Sequence, residues 1–256
     1  MHILKKVLVF FFSVYAFLLL IMALILLLLV ILGISFFSEK KRGDYLYAIV
    51  SRFISVFFLL TGIRPNIRHE VKTDKKSPHI FVFNHISYLD ALVIVHALRG
   101  RSIRGLGKYE ISTLPLIGFI YKQAVITVKR GDKEDRARSV AIMKEFLAES
   151  TSIFLAPEGT FNESDKPLSM FYDGAFRIAL ETRTTIQPIL LLDTHDRMHY
   201  RSLFSINPGP SRVIFLPPFP VDEYSMDDLP VFKEKVFTYM QDALIQHKAS
   251  WISTDI

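Results

Sequence analysis

The sequence predicts an α/β domain with a mixed, partly parallel sheet flanked by helices and preceded by an N-terminal membrane-anchoring helical segment. Short apolar runs of strand length alternate with helix-like patterns, and polar groups follow several of the runs. A long uncharged apolar segment comes before them. The predicted strands are residues 80–83, 103–106, 124–128, 152–156, 186–192 and 212–216, and the predicted helices are residues 91–99, 133–149, 174–181 and 229–248.

The first element is the apolar segment, in which residues 7–37 form 31 consecutive positions without a charge. As one helix it would be about 46 Å long, against a hydrocarbon core of about 30 Å. It can therefore span a bilayer with tilt, or break near Gly33. A secretory signal peptide is the competing interpretation, but the apolar core is about twice the usual ~7–15 residues and no small-residue cleavage pattern follows it. We predict an uncleaved anchor.

The second element is the apolar stretch 45–62, which contains Arg52. A central arginine costs about 2.5–3.5 kcal/mol on membrane insertion scales, so an interfacial or re-entrant helix is favoured over an independent span. The basic triplet after the first segment, Lys40-Lys41-Arg42, outweighs the pair Lys5-Lys6 before it and favours a cytoplasmic position for the domain that follows. We predict a membrane anchor at residues 1–64 and an α/β domain at residues 65–256.

The charge distribution agrees with a membrane partner. Residues 1–70 contain eight Lys or Arg and three acidic residues, and so carry +5 of the net +6. This excess lies beside the apolar segments, as expected for contact with anionic headgroups. The rest of the chain is nearly neutral, which argues against nucleic acid as a partner. The absence of cysteine excludes disulfides, thiolate nucleophiles and thiolate metal sites.

The loop after the predicted strand 80–83 contains the first candidate catalytic pair. His85 directly follows Asn84, and Asp90 stands five positions later. A short loop can fold Asp90 back onto the imidazole, which fixes the tautomer and leaves the other ring nitrogen to take a proton from a hydroxyl. Alone, the spacing of His85 and Asp90 is weak evidence for catalysis, because a single histidine after a strand is more often a hydrogen-bonded loop residue. Its weight comes from the segments downstream.

Polar groups lie at the ends of three further apolar runs. Glu158-Gly159-Thr160 comes after strand 152–156, Lys129-Arg130 after strand 124–128, and Gln187-Pro188 opens the next strand. Glycine allows close approach of the backbone to a ligand, glutamate accepts hydrogen bonds from hydroxyls, and a basic pair suits phosphate. Ligands of α/β sheets gather at strand ends, so these groups are expected to converge. His195 and His199 have i, i+4 spacing for a metal, but a third ligand is not obvious and we predict no metal site.

Four of these segments, in this order, resemble the blocks of the glycerophospholipid acyltransferase family, specifically the bacterial 1-acylglycerol-phosphate acyltransferases. The similarity runs from about residue 75 to about residue 195. The first block is complete, the second keeps only its arginine, and the third has phenylalanine where the family has arginine. The matching residues are Asn84, His85, Ser87 and Asp90; Arg130; Pro157, Glu158, Gly159 and Thr160 before Phe161; and Ile186-Gln187-Pro188-Ile189.

The resemblance implies an acyltransferase of the EC 2.3.1 class acting in phospholipid biosynthesis at a membrane, with the bacterial inner membrane as the expected location. It implies acyl transfer from an acyl carrier protein or coenzyme A thioester to a lysophospholipid hydroxyl, most simply of 1-acylglycerol-3-phosphate, with no cofactor beyond the acyl donor. The implied roles are general base for His85 and orientation for Asp90. The substrate-binding residues it implies are Asn84, Ser87, Arg130, Glu158, Gly159 and Thr160, and we add Lys129, which stands where the family has an aspartate and places a second cation beside Arg130.

Phe161 is the main departure from the family pattern. A charge-assisted hydrogen bond is worth about 1.5–3 kcal/mol, so its loss without compensation would weaken the binding of a phosphate acceptor about ten- to a hundredfold. Two interpretations remain open. Either Lys129 beside Arg130 compensates for the missing arginine, or the acceptor has no glycerol phosphate, as in a lyso-aminolipid. Other classes also remain open: a membrane-bound thioesterase or lipase, a catalytically silent scaffold, and a metal-dependent hydrolase that uses His85, Asp90, His195 and His199.

Overall fold

The computed structural model of the protein describes residues 2–34, 39–115 and 117–252. The predicted uncharged run ends at Phe37, and its last three residues lie outside the described residues. Up to Ile34 it is helical, as predicted.

Helices and strands alternate along the chain after two N-terminal helices. The helices are α1 His2–Ile34, α2 Glu39–Leu60, α3 Asp90–Ala97, α4 Ile117–Ala124, α5 Lys133–Ala148, α6 Gly174–Thr182, α7 Thr194–Arg197 and α8 Leu229–Gln246, with a 3-10 helix at Tyr109–Thr113. The strands are β1 Ile63–His69, β2 Ile80–Phe83, β3 Ile103–Lys108, β4 Val125–Val128, β5 Ser152–Leu155, β6 Ile186–Leu191 and β7 Gly209–Phe215.

The strands form one seven-stranded sheet in the order β1-β7-β6-β2-β5-β3-β4. The run from β6 to β4 is parallel throughout, whereas β7 is antiparallel to β6, and β1 pairs in parallel with β7. The predicted mixed, partly parallel sheet flanked by helices is therefore confirmed. The parallel strands place their carboxyl ends along one edge, where polar groups from several loops can meet.

Strand β1 was not predicted, because residues 63–78 read as a polar passage from the membrane segment to the domain. Its charges fall on alternate positions, so Ile63 is buried while Arg64 and Arg68 face solvent. Pro65 is tolerated because β1 is an edge strand, where one row of backbone N–H groups needs no partner. Helix α4 was also missed, because it is only eight residues long and contains Gly118, a residue type that disfavours helices.

The sheet is covered on both faces, which explains why β2, β5 and β6 are buried at every residue. Helices α5, α6 and α8 pack on one face, where Phe176 and Phe232 are fully buried. Helices α2 and α3 pack on the other face, and part of α1 joins them through Ala16.

Two helices are long and apolar enough to cross a membrane by length and composition, at Leu4–Ile31 and Lys41–Leu60. The first is mostly exposed along its window, with 17% of it buried, whereas 39% of the second is buried. Membrane attachment is compatible with both helices, and the larger buried share of α2 shows that it also belongs to the core of the domain.

Specific polar contacts hold α2 to the sheet. The Tyr47 hydroxyl donates to the Ala124 carbonyl at 2.8 Å and accepts the Gly105 N–H at 3.1 Å. The buried Arg104 guanidinium pairs with Asp44 at 3.0 Å. Together these contacts tie the second anchor helix to strand β3 and to the end of α4.

Tyr47→Phe should destabilise the protein by about 1–3 kcal/mol, because the Gly105 N–H and the Ala124 carbonyl both lose a buried partner. Denaturant unfolding in detergent micelles measures the change. The matched control is Tyr239→Phe on α8, where the ring is 37% exposed and the expected change is within about 0.5 kcal/mol. Equal unfolding midpoints for the two variants would contradict this role of Tyr47.

Candidate active site

The site begins at the carboxyl end of β2, where Asn84 joins two neighbouring strands. Its side-chain amide donates to the Leu191 carbonyl at 3.0 Å, and its side-chain oxygen accepts the Leu191 N–H at 2.8 Å. Asn84 is buried. The structure therefore uses this predicted substrate-binding residue to tie β2 to β6, which gives the next residue a rigid mount.

His85 and Asp90 meet as their spacing predicts. The imidazole Nδ1 lies 2.9 Å from Asp90 Oδ2, and the same oxygen accepts the N–H groups of Ile86 at 2.7 Å and Ser87 at 2.8 Å. Asp90 is fully buried at the first turn of α3, where the positive end of the helix dipole favours a carboxylate. The carboxylate makes Nδ1 the protonated nitrogen, so Nε2 is the one that can accept a proton. The His85 side chain is 26% exposed.

Ser87 has a structural position in this loop. Its hydroxyl donates to the Met198 carbonyl at 2.5 Å and accepts the Leu89 N–H at 3.0 Å. The residue is fully buried. These contacts engage the Ser87 hydroxyl within the loop and bind the loop to the segment that follows α7, and the predicted substrate-binding role of Ser87 stays a prediction.

Glu158 reaches the same loop from β5. Strand β2 pairs with β5 at a constant offset that places His85 level with Glu158. The Glu158 carboxylate accepts the His85 N–H at 2.8 Å through Oε1 and the Ser169 N–H at 2.7 Å through Oε2. Its side chain is buried, and burial raises the pKa of this carboxyl to about 7 against the two hydrogen bonds that lower it.

The segment that contains Glu158 and Asn162 binds the backbone of His85 at both its N–H and its carbonyl. Asn162 donates its N–H to the His85 carbonyl at 2.7 Å, while Glu158 accepts the His85 N–H. Gly159 has a φ of +72°, and a Cβ there would lie 2.8 Å from the Tyr172 ring. Thr160 is exposed at the turn. Sequence reasoning missed Asn162, for which the only signal was its place two residues beyond the block.

Phe161 packs directly on the candidate base. Its ring centroid lies 4.3 Å from that of His85, and Tyr88 meets it edge-on at 4.8 Å. Tyr200 stacks on the far side at 6.3 Å. The residue that replaces the family's arginine is therefore part of an aromatic wall beside His85.

The candidate phosphate-binding cations lie farther along the same edge. Strand register places Lys129 of the β4 exit level with Tyr109 of the β3 exit, and the Lys129 ammonium sits 4.4 Å from the centre of the Tyr109 ring. Lys129 and Arg130 are both exposed. Strand β4 is three strand spacings from β2, which is about 14 Å.

Lys108, which sequence analysis did not select as a site residue, ends strand β3 between the two positions. It is exposed and two strand spacings, about 10 Å, from β2. The order of strands in the sheet, which a single sequence does not reveal, is the only feature that singles it out.

The predicted histidine pair lies at α7, beyond the end of β6. The rings of His195 and His199 are 4.3 Å apart, and His199 packs against Tyr200. Among the residues that the structure describes, no group of three or more histidine, aspartate or glutamate side chains is placed to hold a metal ion.

Fold and site together define an α/β protein with two apolar N-terminal helices and an oriented histidine at the carboxyl edge of its sheet. A sequence model of the Acyltransferase family matches residues 64–192, which is half of the chain. The chain belongs to this family.

Relatives and a solved structure agree with the assignment. The chloroplast 1-acyl-sn-glycerol-3-phosphate acyltransferase of Arabidopsis thaliana is 32% identical over 143 residues, which cover 56% of this chain and 39% of that protein. The human 1-acyl-sn-glycerol-3-phosphate acyltransferase alpha is 28% identical over 182 residues, 69% of this chain and 62% of that protein. The chain thus spans less than two thirds of the length of these relatives.

The fold has a solved counterpart. The crystal structure of the 1-acyl-sn-glycerophosphate (LPA) acyltransferase from Thermotoga maritima matches with a TM-score of 0.76 at 16% identity, covering 99% of this chain and 100% of that chain. The match includes the N-terminal helices as well as the sheet, and so confirms the predicted architecture.

The Glu158 carboxyl should make stability depend on pH. Its pKa is about 7 in the folded protein against an ordinary 4.5, so the folded protein holds this proton more tightly than the unfolded chain. The protonated Glu158 carboxyl therefore contributes to the free energy of unfolding fully below about pH 4.5, and this contribution is lost as the pH rises to about 7. The free energy of unfolding falls by at most about 1.4 kcal/mol per pH unit over this range. Glu158→Gln should remove this component of the slope.

Unfolding free energies measured in detergent between pH 4.5 and pH 7.5 provide the comparison. Glu163→Gln, an exposed glutamate five positions along, is the matched control and should keep the wild-type slope. Equal slopes for Glu158→Gln and the wild type would refute the raised pKa.

Proposed function

We propose that the protein transfers a fatty acyl group from an acyl thioester to the free hydroxyl of a lysophospholipid, with 1-acylglycerol-3-phosphate as acceptor and phosphatidic acid as product. The observation that carries the proposal is the pairing of His85 Nδ1 with the buried Asp90 carboxylate at 2.9 Å, in a chain of the Acyltransferase family. The curated relatives that match it are named for this activity.

In the proposed reaction His85 is the general base. Nε2 takes the proton of the acceptor hydroxyl while the oxygen attacks the thioester carbonyl carbon. As the tetrahedral intermediate collapses, the carbon–sulfur bond breaks and the same nitrogen returns the proton to the departing thiolate. Asp90 holds the tautomer and stabilises the transient imidazolium, as the aspartate does in serine hydrolase triads.

The substrate hydroxyl, and not an enzyme side chain, is the nucleophile in this scheme. The hydroxyl nearest in sequence to the base, that of Ser87, is buried and bonded to the Met198 carbonyl and the Leu89 N–H. Direct transfer therefore needs no acyl-enzyme. The donor is a carrier-protein or coenzyme A thioester, and we place the reaction at the cytoplasmic face of a bacterial inner membrane.

The acceptor phosphate needs cations to replace the family's arginine. Phe161 offers no charge, so we assign the phosphate to Lys108 at the end of β3 and to Lys129 with Arg130 at the end of β4. By strand spacing, Lys108 is about 10 Å from β2, and Lys129 and Arg130 are about 14 Å from it. The long lysine and arginine side chains can cover a large part of these distances. Glu158, Gly159 and Asn84 shape the loops around this space.

Phe161 also has a chemical role in the proposal. An aromatic face within about 6 Å attracts a cation by about 0.5–1 kcal/mol at exposed sites. The ring centre lies 4.3 Å from that of His85, so it favours the imidazolium that forms during proton transfer. It also excludes water from one side of the base, which disfavours hydrolysis of the thioester.

His85→Ala should lower turnover by about 10²–10⁴, the usual contribution of a general base. The assay follows labelled acyl transfer by the detergent-purified protein to a panel of lysolipids. His247→Ala, at the end of α8, is the control and should retain activity. Near-normal turnover of His85→Ala would show that the mechanism is wrong, and acyl release without any acceptor would favour the thioesterase or lipase alternative.

Lys108→Ala and Lys129→Ala should each raise the apparent KM for lysophosphatidate about ten- to a hundredfold, the loss expected for one charge-assisted hydrogen bond. A monoacylglycerol acceptor, which has no phosphate, should show no such change. Lys133→Ala, exposed at the start of α5, is the control. Unchanged KM values in both variants would remove the phosphate assignment and favour an acceptor such as a lyso-aminolipid.

A further inference from the structure

We propose that the loop of residues 200–206 is a second membrane contact, and that its tip, Leu203 and Phe204, inserts into the bilayer that holds α1. The tip residues are 47% and 48% exposed. Two adjacent large apolar side chains at a loop tip, with cations nearby, suit the interface between lipid headgroups and acyl chains.

The loop tip is continuous with the apolar surface of α1. The Phe204 ring lies 5.2 Å from the Phe10 ring and 5.8 Å from the Phe17 ring. At the base of the loop, the Ile206 N–H donates to the Ser13 hydroxyl at 3.1 Å. The tip therefore lies beside the helix that has the greatest apolar exposure and the highest hydropathy in the chain.

The loop is built to hold the tip outward. Its base is closed by the Ser205 hydroxyl, which donates to the Ser202 carbonyl at 2.6 Å and accepts the His199 N–H at 2.8 Å. The Ser202 hydroxyl accepts the Phe204 N–H at 3.2 Å. Because these bonds satisfy the backbone within the loop, the apolar tip can enter a lipid interface without leaving those groups unpaired.

The charges beside the tip match an anionic lipid surface. Arg201 adjoins the tip and is exposed over the Tyr200 ring. Lys6 is exposed one helical turn before Phe10, on the same side of α1. Cations next to an apolar tip fit a bilayer of anionic phospholipids better than a second copy of this chain, whose corresponding surface would carry the same charges.

The contact has a consequence for the site. Tyr200 stacks on Phe161 at 6.3 Å, and Phe161 packs on His85 at 4.3 Å. A membrane-inserted tip would therefore hold the aromatic wall and the base near the headgroup layer. This consequence, unlike the membrane contact itself, rests on the proposed function.

Tryptophan fluorescence in brominated bilayers tests the contact. The chain has one tryptophan, so the background is Trp251→Phe, and Leu203→Trp and Phe204→Trp are made in it separately. The full-length proteins are reconstituted into phosphatidylglycerol–phosphatidylcholine vesicles with or without bromine on the upper acyl chain. We expect bromine to reduce the emission of both tip tryptophans at least about twofold.

Two variants in the same Trp251→Phe background serve as the positive and the negative control for quenching. Leu18→Trp, on the exposed face of α1, should be quenched, and Val231→Trp, 64% exposed on α8, should not. Quenching of Leu18→Trp with none at either tip position would overturn the proposal. So would tip emission that depends on protein concentration but not on lipid, since that would indicate a second copy. Two tip variants guard against a local packing defect, and neither measurement requires turnover.

Discussion

The buried Asp90 carboxylate is the interaction on which the site depends. One of its oxygens accepts the His85 Nδ1–H and the N–H groups of Ile86 and Ser87. A buried carboxylate would be very costly without such donors, so the loop conformation and the charge require each other. The same oxygen orients the imidazole, and for that reason the loop cannot rearrange without releasing the base.

A second constraint comes from the neighbouring strand. Glu158 and Asn162 bind the N–H and carbonyl of His85 from opposite sides of its backbone. The first is 73 residues and the second 77 residues from His85 in sequence, but β5 lies directly beside β2 in the sheet. In the structure the Glu158 carboxylate is buried and binds the backbone of His85, so it fixes the position of the candidate base.

These distances in sequence also explain which features could be predicted. The pairing of His85 with Asp90 is local, and a loop of five residues after a buried strand is enough to suggest it. The hydrogen bond from Asn162 to the His85 carbonyl and the position of Lys108 both depend on the order of strands in the sheet. A single sequence does not show this order in any visible pattern. Strand β1 was not recognised because of Pro65 and its exposed arginines, and α4 because it is short and contains Gly118. The predicted boundary between residues 64 and 65 stays a prediction, although α2 shares its core with the sheet.

Phe161 occupies a position where the family has an arginine, and this difference changes which residues are available to bind an anionic group. In the proposed mechanism, an arginine at this position would place a full positive charge beside a histidine that becomes positive during proton transfer, and it would bind the acceptor phosphate from the strand next to the base. The aromatic ring removes that repulsion and favours the imidazolium, but it leaves the phosphate without its nearest cation. In the proposed function, recognition of the anionic headgroup therefore passes to the cations at the exits of β3 and β4, Lys108, Lys129 and Arg130, farther along the same edge of the sheet.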